Sequence, residues 1–401
     1  MPMTSILISG AGVAGPTLAY WLLEQGITPT IVEKAPRPRT GGYIIDFWGL
    51  GYEVAGKMGL LPALEKEGYV VSELRLVDNQ GRRVGGFDAE VFRNLTGGRY
   101  LSIARSELAR LLYETIKDRC DIIFGDGIRA IEDQGEHVRV AFQHMQERCF
   151  DAVIGADGLH SDARRIVFGP QERFETYLGY MVAAFQVEGY RSRDELAYVS
   201  HSVPGKQIAR FAMRGDRTMF LFVFAADEPP HIAAHDLSAQ KALLNAVFAD
   251  AGWECPQILA ALEDCDDLYF DRVSQIHMDA WSKGRVALVG DAAFCASLLA
   301  GQGSALAMGA AYVLSGELGR AGAPEAAFQR YEALLRPLLA TKQQAARQFA
   351  SGFAPKTWWG VLLRNQITKA FAIPFVAKMA MGSSLIDRVD LPDYALRAKS
   401  A

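Results

Sequence analysis

The sequence predicts an α/β protein with a parallel, doubly wound sheet, a second and mainly antiparallel sheet, and a C-terminal helical segment. Three stretches carry the prediction: a strand–turn–helix–strand unit at 5–33, four strand patterns from Leu178 to Ala226, and a helical tail beyond Ala323. A parallel unit followed by a run of antiparallel strands implies two sheet-based domains.

Ser5-Ile6-Leu7-Ile8-Ser9 reads as a buried strand, and Gly10-Ala11-Gly12-Val13-Ala14-Gly15 follows it. An apolar helix through Trp21, Leu22 and Leu23 then stops at Gly26, and a second strand, Pro29 to Val32, ends in Glu33. This is a Rossmann-like βαβ opening with GxGxxG between strand and helix. Gly10 permits the tight turn, Gly12 lets backbone approach a pyrophosphate, and Gly15 lets helix and strand pack closely. Pro16 falls in the first helical turn, where its missing donor costs little. The helix start offers N–H groups and a positive dipole end to phosphates. A carboxylate at Glu33 accepts from a ribose 2′-OH and repels a 2′-phosphate, so FAD or NAD is expected rather than NADP. Val13, Ala14 and Lys34 complete the nucleotide-binding positions of this unit.

Further along, Val71–Val77 and Arg82–Phe87 flank Asp78-Asn79-Gln80-Gly81, a hairpin signal. A helix is predicted near Ser106–Lys117, introduced by Arg105. Between Glu136 and Phe142, alternation of Val138, Val140 and Phe142 suggests a small antiparallel ribbon. Turns at Gly189, Pro204-Gly205 and Gly215-Asp216 separate the four strands of the second sheet. In the tail, helix breaks are expected at Pro337, Gly352, Pro355 and Pro374. These elements divide the chain into a discontinuous nucleotide domain (1–70, 101–175, 275–350), a substrate domain (71–100, 176–274) and a helical segment (351–401).

Half of the 401 residues are apolar and 22% are charged, which fits a soluble globular protein rather than a disordered one. With 42 basic and 46 acidic residues the net charge is −4, so no nucleic-acid partner is expected. Five cysteines form no CxxC pair, which points to reduced thiols in the cytoplasm and to no bound metal. Met1–Ser9 runs straight into an apolar strand, so no secretory signal is expected. The uncharged stretch between Asp291 and Glu317 is broken by Gly301-Gln302-Gly303 and rich in Ala and Gly, so no integral membrane segment is expected either.

Two later segments decide the chemistry. Phe150 to Gly158 is a buried strand delivering Gly155-Ala156-Asp157-Gly158 to its C-terminal end, followed by Ser161 and Arg164. Gly284 to Ala293 is another, ending in Gly290-Asp291-Ala292-Ala293, and Gly301-Gln302-Gly303-Ser304 then opens an Ala-rich helix. Ligands of doubly wound sheets sit beyond the carboxyl ends of the strands, so three such ends point at one crevice.

With all three signatures in order, nearly the whole chain resembles the class A FAD-dependent monooxygenases related to para-hydroxybenzoate hydroxylase. Ala14-Gly15-Pro16, Trp281-Ser282-Lys283-Gly284-Arg285 and Leu391-Pro392-Asp393-Tyr394 look most like the tetracycline-inactivating branch. The resemblance implies that Gly10, Gly12 and Gly15 hold the FAD pyrophosphate, Glu33 the adenosine ribose and Arg105 the FAD chain. It implies Asp157 near the pyrophosphate and the nicotinamide route, Asp291 on the ribityl hydroxyls, and Gly301, Gly303 and Ser304 at the flavin pyrimidine. A helix N-terminus there stabilises the negative charge that flavin reduction creates. NAD(P)H and O2 are the implied co-substrates, with a flavin C4a-hydroperoxide delivering one oxygen to an aromatic or polycyclic small molecule of polyketide or tetracycline type. For Asp157 or Asp291 taken singly, a carboxylate capping the following helix is an equally open reading.

Relatives usually carry proline where this chain has Leu298 and asparagine where it has Ala305. Those departures keep open a flavin-dependent reductase or oxidase, and a non-catalytic FAD-binding protein is the rival from outside the enzyme class. A plain NAD dehydrogenase accounts for residues 10–33 alone, and no Trp-x-Trp pair supports a halogenase. Phe220, Phe222 and Phe224 share one strand face, and Phe222 and Phe224 join Phe185, Arg210 and Met213 as substrate-pocket candidates. Core packing for the phenylalanines and a solvated role for Arg210 are equally open. No catalytic residue stands out among the seven histidines. Phe371, Ile373, Phe375 and Met379 suggest an amphipathic tail helix suited to gating, to a dimer contact or to loose membrane association. Monomer and homodimer both fit.

Overall fold

The computed structural model describes residues 5–38, 41–371, 373, 376 and 391–394. Its six-stranded sheet runs, edge to edge, Ser282–Lys283, Val286–Leu288, Ala152–Gly155, Ser5–Ser9, Thr28–Glu33 and Asp121–Phe124. All pairings are parallel except that of the short Ser282–Lys283 edge strand. Both faces are covered, as a parallel sheet requires. Ile6 and Ile8 pack with Leu18 and Leu22 of the Ala14–Glu24 helix and with the Gly303–Arg320 helix. Leu7, Val32, Val153 and Val286 face the other way, onto Val138, Phe142 and Phe150 of a three-stranded ribbon.

The seven-stranded sheet runs Tyr269–Ile276, Glu175–Glu188, Arg217–Ala225, Lys206–Ala212, Ala197–Val203, Glu73–Val77 and Arg83–Asp88. Only Ala197–Val203 with Glu73–Val77 is parallel. The four strands read from Leu178–Ala226 are thus present, and the Asp78–Gly81 hairpin adds two more to the same sheet. One face is sealed by the Leu237–Phe248 and Cys255–Glu263 helices: Phe185, Phe220, Phe222 and Phe224 pack there with Leu244, Phe248 and Ile258. Residues one register away, Val182, Leu221 and Val223, face the opposite side, against Leu298 and Leu299.

The tail corrects one expectation. Pro324–Phe353 is a single helix with Pro337 and Gly352 inside it. A proline forfeits one backbone hydrogen bond and crowds the preceding turn, which normally breaks a helix. Here side chains on both sides of Pro337 anchor the helix from outside. Arg336 donates to the Met278 and Asp279 carbonyls (3.0 and 2.9 Å), and Gln343 to those of Ile276 and Cys295 (2.7 and 3.3 Å). A further helix, Trp358–Ala370, follows Pro355. Of the expected amphipathic set, Phe371 sits edge-on to Phe87 at 5.4 Å, while Phe375 and Met379, like Pro374, lie outside the described residues. Leu391–Tyr394 docks on the Gly303–Arg320 helix, where Tyr394 donates to Glu317 (2.9 Å) and Tyr312 to the Pro392 carbonyl (3.0 Å). No helix among the described residues is long and apolar enough to cross a membrane.

Candidate functional site

Parallel pairing fixes the site by putting the carboxyl ends of Ser5–Ser9, Ala152–Gly155 and Val286–Leu288 on one edge, so the three glycine-rich loops meet there. Gly10, at φ 107°, donates to the Val32 carbonyl (2.8 Å), and a Cβ on it would press into the Ala156 carbonyl. One on Gly15 would collide with the Gly10 carbonyl, whereas one on Gly12 would meet no atom within 4 Å. The loop is therefore tight behind and open in front. Behind it the Ala14–Glu24 helix begins at Val13 with no side-chain cap and no acid in its first turn, leaving its N–H groups to an anion. Glu33 accepts from the Ala11 and Ala35 amides (2.8 and 2.9 Å), and a carboxylate so held retains lone pairs for a ribose. Lys34 points elsewhere, pairing with Asp162 at 2.7 Å.

On the second loop, the Asp157 carboxylate accepts from Ser161, the Ala163 amide and Ser9, tying the strand ends to the Asp162–Val167 helix. Burial pushes its pKa up against the pull of those donors. Arg164 is wholly buried and donates to the carbonyls of Ala292 (2.9 Å) and Leu159 (2.6 Å), so it clasps the second loop to the third.

The third loop carries Asp291, and a Cβ on Gly303 would lie 3.6 Å from its Oδ1. Burial raises the Asp291 pKa, and the Arg105 guanidinium and Cys295 pull it back. Arg105 opens its helix beside Gly42, and among the described residues its guanidinium forms no hydrogen bond or ion pair. Burial works against its charge, but Tyr43, Asp291 and Tyr269 outweigh that and its pKa is raised. The Gly303–Arg320 helix starts without a side-chain cap or an acid in its first turn, with Gly301 at φ 68° and Ser304 half-buried ahead of and within that turn. Ala305 lies hard against Gly51 of the Leu50–Lys57 helix, where a Cβ on Gly51 would come within 2.8 Å of the Ala305 Cβ. Leu298 faces the seven-stranded sheet with Leu221, Ala225 and Tyr269.

An uncapped helix start behind an open glycine, a second one beside a half-buried carboxylate, and near that carboxylate an arginine with no hydrogen bond among the described residues fit a dinucleotide with a pyrophosphate and polyhydroxyl chain. Several residues at this junction carry no sequence motif. Tyr43 and Tyr269 meet at a tilt, ring centres 5.3 Å apart, near Arg105, and burial pushes the Tyr43 phenol up to about 12. Asp46 accepts from Tyr100 (2.7 Å) and Ser102 (2.6 Å) in a two-stranded ribbon. His160, next to the second loop, binds Asp271 of the other sheet at 3.0 Å.

That Asp271 hydrogen bond, against the cost of burial, raises the His160 pKa. The pair therefore stabilises the fold below the ordinary histidine range and is lost as pH rises through the raised value. With the imidazole half exposed the contribution is at most about 1 kcal/mol. Asp271→Asn is expected to lower the His160 pKa in an NMR titration, and an unchanged titration contradicts the pairing.

The proposed pocket residues divide. Phe185, Phe222 and Phe224 lie in the sheet–helix core, on the face turned away from Leu298. Phe185 also borders a cleft of about 710 Å³ that opens between Gly41-Gly42 and Gln186–Tyr190. Arg210 is 5% exposed on that same helix-covered face, bound to Glu254 (2.9 Å) and Asp194 (2.7 Å), so its charge is already matched. Met213 faces Tyr69, Ala104 and Met219, on the Arg105 side.

Comparison with known proteins agrees with this geometry. The family model described as FAD binding domain matches residues 3–337. An uncharacterised protein of Mycobacterium tuberculosis is 38% identical over 365 residues, covering 88% of this chain and 95% of its own. A flavin-dependent monooxygenase of Legionella longbeachae is 32% identical over 405 residues, covering 97% and 98%. Among solved structures, the tetracycline destructase Tet(55) superposes with a TM-score of 0.82 at 31% identity, covering 98% of this chain and all of that one.

Proposed function

The chain belongs to the FAD-binding-domain family and is a flavin-dependent monooxygenase, and we propose that it uses NAD(P)H and O2 to oxygenate an aromatic or polycyclic small molecule. The observation that supports this reading best is the meeting of three strand-end loops beneath an apolar sheet face. When bound, FAD supplies two-electron chemistry between NAD(P)H, O2 and the substrate.

The chain's own residues do the rest. Gly12 and the uncapped Ala14–Glu24 helix bind the pyrophosphate, Glu33 the adenosine ribose, and Asp291 the ribityl hydroxyls. Arg105 neutralises phosphate charge and holds Asp291 ionised. The Gly303–Arg320 helix start, through Gly301, Gly303 and Ser304, would hold the pyrimidine end of the flavin and present a positive dipole end to it. Asp157 keeps the second loop in register with the first. Val182, Leu221, Val223, Tyr269 and Leu298 form the wall that excludes water from the reacting atoms, a requirement of oxygen transfer. A polycyclic ring system matches that wall, and the likeness to a tetracycline destructase makes tetracyclines the first compounds to try.

The test is a panel of phenols, tetracyclines and related polyketides, following stimulated NAD(P)H oxidation together with product mass. A product heavier by one oxygen atom is the expected outcome. Peroxide release without an oxygenated product from every compound overturns the reading in favour of an oxidase or reductase.

A further inference from the structure

We propose that the outer face of the Trp358–Ala370 helix docks on an anionic phospholipid surface. The helix is amphipathic the wrong way round for a globular protein. It buries Val361, Asn365 and Thr368 against the edge of the seven-stranded sheet, where Thr368 accepts from the Gly86 amide at 3.1 Å. It exposes Trp358, Trp359, Leu362, Leu363 and Ile367, with Trp359 81% and Leu363 62% accessible. Ile373, beyond its end, is exposed too. Five large apolar side chains on one exposed helix face mark an interaction surface rather than scattered exposure.

Charge selects the occupant. From Ala333 to Ile386 the sequence has no Asp or Glu against seven Lys and Arg; Arg336 is already paired with Glu332 and Lys342 and Arg364 are turned into the protein, which leaves Arg347, Lys356 and Lys369 exposed among the described residues. Lys356 and Lys369 flank the helix at its two ends and both are exposed; Lys356 meets Asp227, itself on the surface, at 3.3 Å and lies over the Tyr180 ring at 5.9 Å. Two copies meeting through this face would bring like charges together. A headgroup layer of negative charge complements it, with the tryptophans at headgroup depth and the leucines beneath. At 13 residues the helix lies on such a surface and does not cross it.

The test is flotation of the purified full chain with phosphatidylcholine vesicles, with and without phosphatidylglycerol, at low and high salt. Trp359→Glu/Leu363→Glu is the companion variant, with circular dichroism and thermal unfolding to confirm that it folds. The expected result is flotation that needs phosphatidylglycerol, falls as salt rises, and drops at least tenfold in the folded variant. Flotation of the variant equal to wild type, or none by the wild type, overturns the proposal. A wild-type dimer that the variant dissociates, without vesicle binding, also overturns it and assigns the face to a second copy.

Discussion

Phe222→Ala is expected to destabilise the folded chain by about 3–5 kcal/mol, the usual cost of emptying a phenylalanine site in a core. Phe222 is fully buried, stacks on Phe185 at 6.0 Å and meets Phe248 edge-on at 4.8 Å, between the seven-stranded sheet and its two helices. Little in that layer can collapse into the space, because Phe185, Phe220 and Phe224 surround it and are themselves packed. Denaturant unfolding reads the loss as a lower midpoint with an unchanged slope. At temperatures where the variant stays folded, the Michaelis constant for substrate should be unchanged, since the side chain faces away from Leu298. A variant of nearly wild-type stability with an altered Michaelis constant would contradict this placement and return Phe222 to the pocket.

Arg105→Ala is expected to weaken FAD binding roughly 10- to 100-fold, matching the ~1.5–3 kcal/mol of a hydrogen bond to a charged group. The guanidinium has no partner among the described residues, so its removal leaves no protein group unsatisfied and the fold should survive. It does leave Asp291 without its neighbouring cation. Burial already raises that carboxyl, so its pKa climbs further and the residual FAD affinity should fall as pH drops. Arg105→Lys keeps the charge, though not the planar fork, and should recover part of the affinity. Equal FAD affinity in all three proteins, read by flavin fluorescence, would remove Arg105 from the site.

How far the sequence could be read depended on how local each signal was. The three strand ends were legible because a buried parallel strand is an uninterrupted apolar run, and each here stops at a glycine-bearing turn. Which face of the second sheet meets the crevice was not legible. Alternation marks a face only when one side is wet, and in Lys206–Ala212 every residue after the first is buried. Phe222 and Leu221 thus look alike as pocket candidates until the two covering helices are placed. Arg210 reads as a free cation for the same reason: its partners, Asp194 and Glu254, lie 16 and 44 residues away. Tyr43 sits just before the Ile44–Trp48 strand and Tyr269 and Asp271 share the Tyr269–Ile276 strand, and no spacing links them to Asp291. Pro337 misled because the anchors on either side of it are long-range, while its helix-breaking tendency is local. Ala305, a departure when read as sequence, packs directly on Gly51, a neighbour 254 residues away that no local pattern points to.

Titration of the flavin-free chain with FAD tests the convergence of the loops most directly. Single substitutions should be made at Gly12, Asp157 and Asp291, one in each loop. One FAD per chain is expected for the unaltered protein, with weaker binding for every variant that circular dichroism shows to be folded. Failure of the unaltered chain to take up flavin, or FAD affinity untouched by folded variants of the second and third loops, would contradict it.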